Sequence, residues 1–573
     1  MNRRTAPRPS ISWVLVLCAA AALAPSPAAQ DGGRVARPRL VVVCGVDQLA
    51  TWVLQDARPH LAADGGFARL SAGGVEFTGC AYAHACTETG PGHATIGTGA
   101  PARLHGIVKN EWFDRVAGAK VYCVQDPAAA ALDGMPEGRD RSAHRLLVPT
   151  VGDLLKAHDP QSVVVSLSHK DRSAILMGGR RADAVVWIEN GTGRFVTNTR
   201  WGERAPEWLL QLDAGEPQRR WFGWTWDRVG DAAAYAGLVD DRPFELRHMS
   251  TGQRTLPAVL NGGGRDEPGG RFHQEVYLSP VSNELVLEGA LAAVAGAGLG
   301  ADEHADLLMV SFSANDTVGH YFGPESVEAR DTLLRLDGVL ARLLAGLDDA
   351  VGAGRYAFVL TSDHGVAMSP EVAKAKGLGG GRELLHTRAK AVAEAALRAE
   401  FGDGSWITYV GGEMLYLDRE RLGAWANAHG EAPEAVLDRA AALAAGACKD
   451  ARGIDRGISV RELLATGPAP VGEGDDDPIR RAVFDGLVAD RCGDVVFVPT
   501  PYWIEAGIAA THGSPHPYDR EVPLLAVGPG LRRGALVADA VTPGLAAVLA
   551  ARWLGIDRPA AATDDVPAAA FAQ

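Results

Sequence analysis

One threonine and six acidic or imidazole side chains have the chemistry of a hydrolytic metal centre. The threonine is Thr89, within the stretch Cys86-Thr87-Glu88-Thr89-Gly90-Pro91-Gly92-His93. The six other side chains offer the oxygen and nitrogen donors that hold two divalent cations of the zinc kind, and they are Asp47, Asp316, His320, Asp363, His364 and His512. Two such cations leave space for a nucleophile and for a phosphoryl or sulfuryl group. A hydrolase is therefore the first interpretation.

The residues that follow Thr89 predict a place for an anion. Gly90-Pro91-Gly92 forms a turn that opens into a predicted helix, and the amides at a helix N-terminus favour the negative charge of a phosphate. A free threonine hydroxyl is too weakly acidic to attack a phosphorus ester at neutral pH, so it needs a cation that stabilises the alkoxide. Thr87 is a competing hydroxyl, and the chemistry of the sequence alone does not separate the two.

The spacing of four donors predicts how they are presented to the metals. Asp316 and His320 stand four residues apart, so one helical turn would place both on one face, which suits one metal. Asp363 and His364 follow an apolar strand, where adjacent side chains normally point to opposite faces. Joint ligation by this pair requires the chain to bend, and Gly365 permits the bend.

A loop near the C-terminus supplies the remaining imidazole. Its sequence, His512-Gly513-Ser514-Pro515-His516, is rich in turn-forming residues, which keeps it at the surface. Either histidine could bind a metal. We favour His512 as the metal ligand, with His516 as the alternative.

The composition fits a large folded protein and argues against a nucleic-acid track. The 573 residues are 47% hydrophobic and 22% charged, which allows one extended core or two cores. The formal net charge is −14, whereas a nucleic-acid track needs a basic face. An anionic substrate must therefore be held by local cations. Nothing in the sequence indicates an oligomeric state.

The first 29 residues have the pattern of a secretory signal peptide. Arg3, Arg4 and Arg8 precede an apolar run from Trp13 to Leu23, which is followed by Pro, Ser and Ala. That run is too short to span a bilayer, and no later run of roughly 18 apolar residues follows. We expect export to the periplasm or beyond, with no transmembrane anchor. Six cysteines then remain in a compartment that permits disulfides of unassigned pairing, although Cys44 is expected to be a buried free thiol.

Four short apolar runs predict an α/β fold with a central, mostly parallel sheet. They begin at Leu40, Val163, Leu307 and Phe358 and lead, in turn, to Asp47, to Lys170 and Arg172, to Asp316, and to Asp363 and His364. In open α/β sheets the ligand site lies beyond the carboxyl ends of the strands, so these segments should converge. Helical spacing predicts helices that cover both faces of the sheet at Val151–His158, Asn283–Ala297, Val327–Leu347 and Glu383–Phe401.

Two long stretches fit this alternation poorly, at about 178–300 and 369–494. We expect them to be insertions that build a cap beside the cleft, because connections of this length inside an α/β domain are usually functional. The first carries six tryptophans, which could contact substrate or only pack: Trp187, Trp201, Trp208, Trp221, Trp224 and Trp226.

Taken in order, six segments resemble the alkaline phosphatase superfamily. They are Val46-Asp47-Gln48, Thr89–Thr95, His105–Asn110, Asn315–His320, Thr361–Gly365 and Thr511–Ser514. In addition, Ser168-His169-Lys170-Asp171-Arg172 resembles the Lys-x-Arg element of the PafA-like, calcium-activated and phosphate-irrepressible alkaline phosphatases, which use a threonine nucleophile and two zinc ions. The resemblance implies an alkaline-phosphatase-like α/β sandwich over residues 38–573, with helices on both faces of the sheet and inserted cap segments.

The resemblance also implies a role for each site residue. It selects Thr89 over Thr87, because Asn110 then follows at the family's usual distance. One zinc would be held by Asp47, Thr89, Asp363 and His364, and the other by Asp316, His320 and His512. Thr89 would attack phosphorus in line and form a phosphothreonine, which is then hydrolysed from the side of the second zinc. The non-bridging oxygens would be bound by the Asn110 side chain, the Gly90 amide, Lys170 and Arg172.

Lys170 and Arg172 favour a phosphate monoesterase that releases inorganic phosphate from compounds such as sugar phosphates and nucleotides. Two positive charges match a monoester dianion, whereas diesterases of this superfamily place an apolar pocket there. The alternative for these cations is a surface ion pair with Asp171. The alternative functions are a nucleotide pyrophosphatase/phosphodiesterase on the same scaffold and a non-catalytic phosphate- or metal-binding module. A sulfatase is disfavoured, because such enzymes generally use a modified Cys or Ser.

Two further charged features remain. Lys109 stands directly before Asn110, and the sequence does not predict its effect on the phosphate pocket. The acidic run Asp475–Asp477 reads as solvated loop charge that could bind additional Ca²⁺ weakly.

Overall fold

The computed structural model describes residues 37–468 and 477–572, so the predicted signal peptide and Asp475–Asp476 lie outside the described residues. The strands are β1 (Leu40–Val46), β2 (Val75–Cys80), β3 (Glu111–Asp114), β4 (Ala119–Tyr122), β5 (Val164–Ser168), β6 (Ala184–Ile188), β7 (Phe195–Val196), β8 (Trp224–Trp226), β9 (Ala258–Leu260), β10 (Asp306–Phe312), β11 (Tyr356–Thr361), β12 (Gly381–Glu383), β13 (Ile407–Gly411), β14 (Met414–Leu417), β15 (Ile454–Ser459), β16 (Val495–Pro499), β17 (Trp503–Glu505), β18 (Leu524–Val527) and β19 (Ala535–Val541).

The α-helices are α1 (Thr51–Ala57), α2 (Gly66–Gly73), α3 (Thr89–Thr98), α4 (Ala102–His105), α5 (Val151–His158), α6 (Asp171–Gly178), α7 (Glu207–Ala214), α8 (Gly270–Tyr277), α9 (Val281–Gly296), α10 (Ala314–Phe322), α11 (Val327–Ala350), α12 (Pro370–Ala375), α13 (Leu385–Phe401), α14 (Arg419–His429), α15 (Pro433–Cys448), α16 (Val460–Thr466), α17 (Pro478–Asp485), α18 (Pro517–Arg520) and α19 (Leu545–Leu554).

The largest sheet of the described residues has nine strands, in the order β19-β2-β18-β11-β1-β10-β5-β6-β7. Its middle strands β11, β1, β10, β5 and β6 pair in parallel, while β18 and β7 run antiparallel to their neighbours. Every residue of β1, β10 and β11 is buried, as expected for strands of a sheet that is covered on both faces. The predicted α/β fold with a mostly parallel central sheet is confirmed.

Two helical layers cover this sheet. α3, α5, α6 and α19 pack together on one side, with α19 against β1 and β11 and α6 against β5 and β6. α2, α9, α10 and α11 form the other layer, in which α9 contacts β5 and β10. The predicted helices at Val151–His158, Asn283–Ala297 and Val327–Leu347 are present as α5, α9 and α11. α5 begins with a capping box, in which the side chains of Thr150 and Asp153 each accept a hydrogen bond from the other residue's backbone amide.

The helix predicted over Glu383–Phe401 forms as α13, but its predicted place on the central sheet is wrong. α13 packs against α15 in a separate hydrophobic cluster, together with a four-stranded sheet in the order β13-β14-β16-β15. Leu397 and Phe401 of α13 and Ala440 and Ala444 of α15 belong to this second core. Helical periodicity shows that α13 has an apolar stripe, but it does not show which sheet the stripe faces. We call the described residues from 385 to 468 and from 477 to 499 the cap subdomain.

The tryptophan-rich stretch contributes mainly to the core. It supplies β6 and β7 to the central sheet, so the segment from 178 to 300 is not wholly separate from that sheet. Trp187, Trp201, Trp208 and Trp226 are buried in the main hydrophobic cluster. Trp226 Nε1 donates to Asp331 Oδ2 at 2.7 Å, which satisfies the indole group.

All six cysteines among the described residues are buried and unpaired, and Cys44 lies in β1 as predicted. Across residues 37–468 and 477–572, no helix is both long and apolar enough to cross a membrane.

Candidate active site

The carboxyl ends of adjacent parallel strands bring the predicted donors together. Asp47 directly follows β1, Asp316 and His320 lie on α10 after β10, and Asp363 and His364 follow β11. Because β11, β1 and β10 are neighbours in the sheet, their carboxyl ends share one edge. A loop beyond β17 adds His512, which completes the six.

The six side chains form two adjacent groups of three. Asp47, Asp363 and His364 make the first, and Asp316, His320 and His512 make the second; within each group the donor atoms lie within 4.8 Å of one another. The groups are contiguous, since the rings of His364 and His512 stack with centroids 3.6 Å apart. Two ions at such neighbouring positions can act on one substrate.

The histidine tautomers fit metal binding. Each imidazole donates its Nδ1 proton to a backbone carbonyl: His320 to Ala510, His512 to Thr87 and His364 to Gly365, at 2.9, 2.6 and 3.0 Å. The Nε2 atoms are thereby left as acceptors, which is how metal-bound histidines are usually oriented. The Nε2 atoms of His320 and His512 face each other at 3.1 Å, and each lies within 3.5 Å of Asp316 Oδ1. A cation between them would satisfy all three atoms.

Buried atoms without partners support the same conclusion for the first group. Within the described part of the chain, Asp47 Oδ1, Asp363 Oδ2 and His364 Nε2 are buried and lack a hydrogen-bond partner. His93 Nδ1 lies 3.2 Å from Asp363 Oδ2, but it bonds to the Thr89 carbonyl at 2.8 Å. His364 Nε2 lies 3.5 Å from Asp47 Oδ1 and 3.4 Å from Asp363 Oδ2. Burial lowers the pKa of His364 to about 3, so its imidazole is neutral and able to bind a cation. Leaving three such atoms unpaired is costly, and a divalent ion of the zinc kind removes the cost.

Thr89 is the first residue of α3 and is almost fully buried. The start of α3 lies against the end of β11, because a Cβ atom at Gly92 would fall only 2.0 Å from the Asp363 carbonyl oxygen. Only glycine at this position allows so close an approach. The close packing brings the nucleophile candidate and the first donor group together.

Lys170 and Arg172 reach the site from the end of β5, and they are not surface ion pairs. Lys170 Nζ lies 2.6 Å from Asp47 Oδ2 and 2.5 Å from Asp316 Oδ2, so it bridges the two donor groups. Burial alone would lower the pKa of Lys170, but the Asp316 and Asp47 carboxylates raise it above its ordinary value. Arg172 Nη2 lies 3.2 Å from Thr89 Oγ1.

Asp171, the residue between these two cations, pairs elsewhere. Its carboxylate accepts from the Tyr122 hydroxyl at 2.5 Å and from Arg141 Nε at 2.7 Å. The charges of Lys170 and Arg172 therefore stay directed at the site.

Asn110 is held beside Thr89 by two hydrogen bonds. Its backbone amide donates to Glu88 Oε2 at 2.7 Å, and its Oδ1 accepts from the Gly90 amide at 2.7 Å. The family resemblance implied that the Gly90 amide binds a phosphoryl oxygen, whereas in the structure that amide is paired with Asn110. A buried amide at a helix N-terminus needs an acceptor, and the side chain of Asn110 supplies it. The Nδ2 group of Asn110 is the group left to donate to a ligand.

Lys109 lies beneath this pair in an ionic contact that the sequence did not predict. Its ammonium lies 3.0 Å from Glu88 Oε1 and 2.5 Å from Glu413 Oε2. Glu413 is in the turn between β13 and β14, so Lys109 joins the cap subdomain to the residue that precedes Thr89. Burial opposes the charge, but Glu413 and Glu88 raise the pKa of Lys109 above its ordinary value.

The alternative residues lie outside the two donor groups. The Thr87 hydroxyl donates to the Ser514 carbonyl at 3.2 Å. His516 Nε2 donates to the Pro499 carbonyl at 2.8 Å, so this imidazole supports the backbone. Of the two hydroxyls and the two C-terminal imidazoles, the structure brings Thr89 and His512 to the site.

Gln48 is a site residue that the sequence reasoning missed. Its side-chain Nε2 donates to Asp316 Oδ1 at 2.7 Å, and its backbone amide donates to Asp363 Oδ1 at 3.1 Å. Gln48 therefore orients one carboxylate of each donor group. Its backbone lies in the left-handed region with φ 64°, which is unusual for a non-glycine residue. Its position directly after Asp47 was the one signal in the sequence.

A family model described as type I phosphodiesterase/nucleotide pyrophosphatase matches residues 41–510. The chain belongs to this family. The predicted membership of the alkaline phosphatase superfamily is thereby confirmed.

Curated relatives of this type I phosphodiesterase/nucleotide pyrophosphatase family member include alkaline phosphatases. Alkaline phosphatase PhoV of Synechococcus elongatus is 29% identical over 503 residues, which cover 87% of each chain. Alkaline phosphatase PafA of Elizabethkingia meningoseptica is 28% identical over 511 residues, which cover 88% of this chain and 90% of the relative. The crystal structure of wild-type alkaline phosphatase PafA matches with a TM-score of 0.82 at 26% identity, over 94% of this chain and 100% of that one. The chain is an alkaline-phosphatase-like phosphoesterase.

Proposed function

We propose that this protein is an exported, metal-dependent phosphate monoester hydrolase that acts through a phosphothreonine at Thr89 and releases inorganic phosphate. The observation that carries the proposal is the contact of Arg172 with Thr89 Oγ1 at 3.2 Å, together with the Lys170 ammonium between the two donor groups. A guanidinium at the nucleophile and an ammonium between the donor groups match the two charges of a monoester dianion. The alkaline phosphatase relatives support the same reaction class.

In this proposal the chain's own residues bind and orient the phosphoryl group. Arg172 donates from the side of the Thr89 hydroxyl, and Lys170 supplies a second positive charge between the two donor groups. The Asn110 Nδ2 group donates to a third oxygen, while the Gly90 amide fixes the orientation of the Asn110 side chain. Binding of all three oxygens sets phosphorus in line with Thr89 Oγ1.

The reaction takes place in two displacements. The Thr89 hydroxyl loses its proton to solvent and forms an Oγ1–phosphorus bond, while the bond from phosphorus to the ester oxygen breaks and the leaving alkoxide takes up a proton. Water then attacks phosphorus, the Oγ1–phosphorus bond breaks, and Thr89 regains its proton as inorganic phosphate leaves. Two zinc ions, when bound by the two donor groups, would supply Lewis-acid stabilisation to the oxygens that enter and leave.

The proposal extends to cofactor and compartment. Asp47, Thr89, Asp363 and His364 would hold one zinc, and Asp316, His320 and His512 would hold the other. The three imidazole nitrogens among these donors suit zinc better than Mg²⁺ or Ca²⁺, which prefer all-oxygen sites. Export rests on the signal-peptide pattern of residues 1–29, and a weak Ca²⁺ site near Asp477 stays a sequence prediction.

The competing activity is phosphodiester hydrolysis, which the description of the family model favours. The test compares kcat/KM for p-nitrophenyl phosphate with kcat/KM for its methyl diester, on one sample of known metal content. We expect the monoester to be cleaved at least about 100-fold faster, because Lys170 and Arg172 stabilise its second charge. Faster cleavage of the diester would overturn the proposal. Tight phosphate binding without turnover would indicate a non-catalytic binding protein.

A further inference from the structure

A cleft of about 290 Å³ opens beside the second donor group. Asn110, His320 and His512 line it, so it adjoins residues that the proposed mechanism places around the phosphoryl group. An in-line displacement at Thr89 sends the leaving oxygen away from Oγ1, towards the other metal of such a pair. The organic part of a monoester therefore has this cleft as its nearest space.

The cap subdomain and the strand that follows it build the walls of the cleft. Leu385 begins α13, Phe497 lies in β16, and Trp503 lies in β17. These side chains give apolar surface, against which a carbon skeleton can pack.

Four acidic side chains line the cleft. They are Glu88, Glu413, Glu505 and Asp519, and among the described residues no lysine or arginine lines it. Lys109 pairs with both Glu88 and Glu413, so these three side chains together keep one net negative charge. Asp519 is buried and accepts from the Ser514 hydroxyl. Among the described residues Glu505 forms an ion pair only with His386, at 2.9 Å, and about a third of its side chain is exposed.

We propose that this cleft receives the organic group of the substrate, and that its carboxylates select monoesters whose organic group carries an ammonium over those whose organic group carries a second anion. The inference rests on the proposed monoesterase activity and adds the substrate class. A fixed carboxylate within several ångströms attracts an ammonium and repels a carboxylate by amounts that matter at low salt.

A matched pair of substrates tests this selection. Phosphoethanolamine and phosphoglycolate share a two-carbon skeleton but end in an ammonium and a carboxylate, and p-nitrophenyl phosphate reports on the reaction centre. We expect kcat/KM for phosphoethanolamine to exceed that for phosphoglycolate by about tenfold at low ionic strength. The ratio should shrink as salt rises from about 0.01 M to about 0.5 M, because the charges become screened.

The variants Glu505→Gln and Glu383→Gln locate the effect. Glu505→Gln should reduce the ratio by about threefold, because it removes the partly exposed lining carboxylate that no lysine or arginine neutralises. Glu383 lies on the neighbouring strand β12, outside the cleft lining, so Glu383→Gln should keep the wild-type ratio. The proposed selection would be overturned by a ratio near one, by a preference for phosphoglycolate, or by a ratio that Glu505→Gln leaves unchanged. In each of these cases, cleavage of p-nitrophenyl phosphate would still support the monoesterase activity. If p-nitrophenyl phosphate is not cleaved, both proposals fail.

Discussion

Arg172 Nη2 lies 3.2 Å from the Thr89 hydroxyl oxygen, although the two residues are 83 positions apart in the chain. The contact depends on the packing of α3 against α6, the helix that carries Arg172. A guanidinium in this place can donate to a non-bridging oxygen of the phosphoryl group that Thr89 attacks.

Replacement of Arg172 or Lys170 by Ala should lower kcat/KM for p-nitrophenyl phosphate by about 100-fold or more. The loss for the methyl diester should be much smaller, because the diester lacks the second charge that these residues stabilise. Arg181→Ala, which removes an exposed guanidinium beyond the end of α6, is the matched control and should resemble the wild type. Equal losses for both substrates would count against the assigned roles.

Lys109→Met should destabilise the protein by about 3 kcal/mol, measured by denaturant unfolding. The substitution leaves Glu88 and Glu413 facing each other without the ammonium that now lies 3.0 and 2.5 Å from them. Adding Glu413→Gln should recover part of the loss, since it removes one of the two uncompensated charges. A double variant less stable than Lys109→Met would show that Glu413 has another partner.

Asp316→Ala should reduce the zinc content from two equivalents to one, because it removes a donor from the second group only. Elemental analysis after gel filtration measures this content, and monoester hydrolysis should fall by at least about 1000-fold. His516→Ala is the control and should keep both equivalents, since His516 bonds to the Pro499 carbonyl. Two equivalents in the Asp316→Ala variant would contradict the division into two groups.

Glu245 lies outside the candidate active site and makes the stability of the fold depend on pH. Burial raises the pKa of Glu245 to about 8, and the neighbouring Glu328 carboxylate adds to the effect. The folded state therefore favours the neutral acid. This contribution is fully present below the ordinary pKa, near 4.5, and is lost as pH rises through about 8.

Glu245→Gln should thus become more stable than the wild type by about 2 kcal/mol as pH rises from about 5 to about 9. Thermal unfolding across this range checks the difference, with the exposed Glu267→Gln as the control. A constant difference at all pH values would show that Glu245 does not titrate as described.

The elements that end at the site could be predicted from sequence, whereas contacts between distant loops could not. The run from Leu40 and the run from Leu307 are recognisable as buried strands, because each is apolar and ends in polar residues. Strand ends in a parallel sheet meet at one edge, so the residue pattern alone is enough to predict that Asp47 and Asp316 lie together.

The pairing of Lys109 with Glu413 spans 304 positions and depends on where the cap subdomain folds back. The packing of α13 away from the central sheet and the pairing of Gly90 with Asn110 were missed for the same reason. In each case the local sequence pattern identifies one residue or helix, but which residues pack against it depends on the fold of the whole chain.

The most direct test of Thr89 as the nucleophile is acid quenching of the zinc-loaded protein during turnover of p-nitrophenyl phosphate, followed by peptide mass spectrometry. We expect phosphate on Thr89 in the wild type, no phosphopeptide in Thr89→Ala, and retained labelling in Thr89→Ser. Phosphate on Thr87, or full turnover by Thr89→Ala, would contradict this expectation.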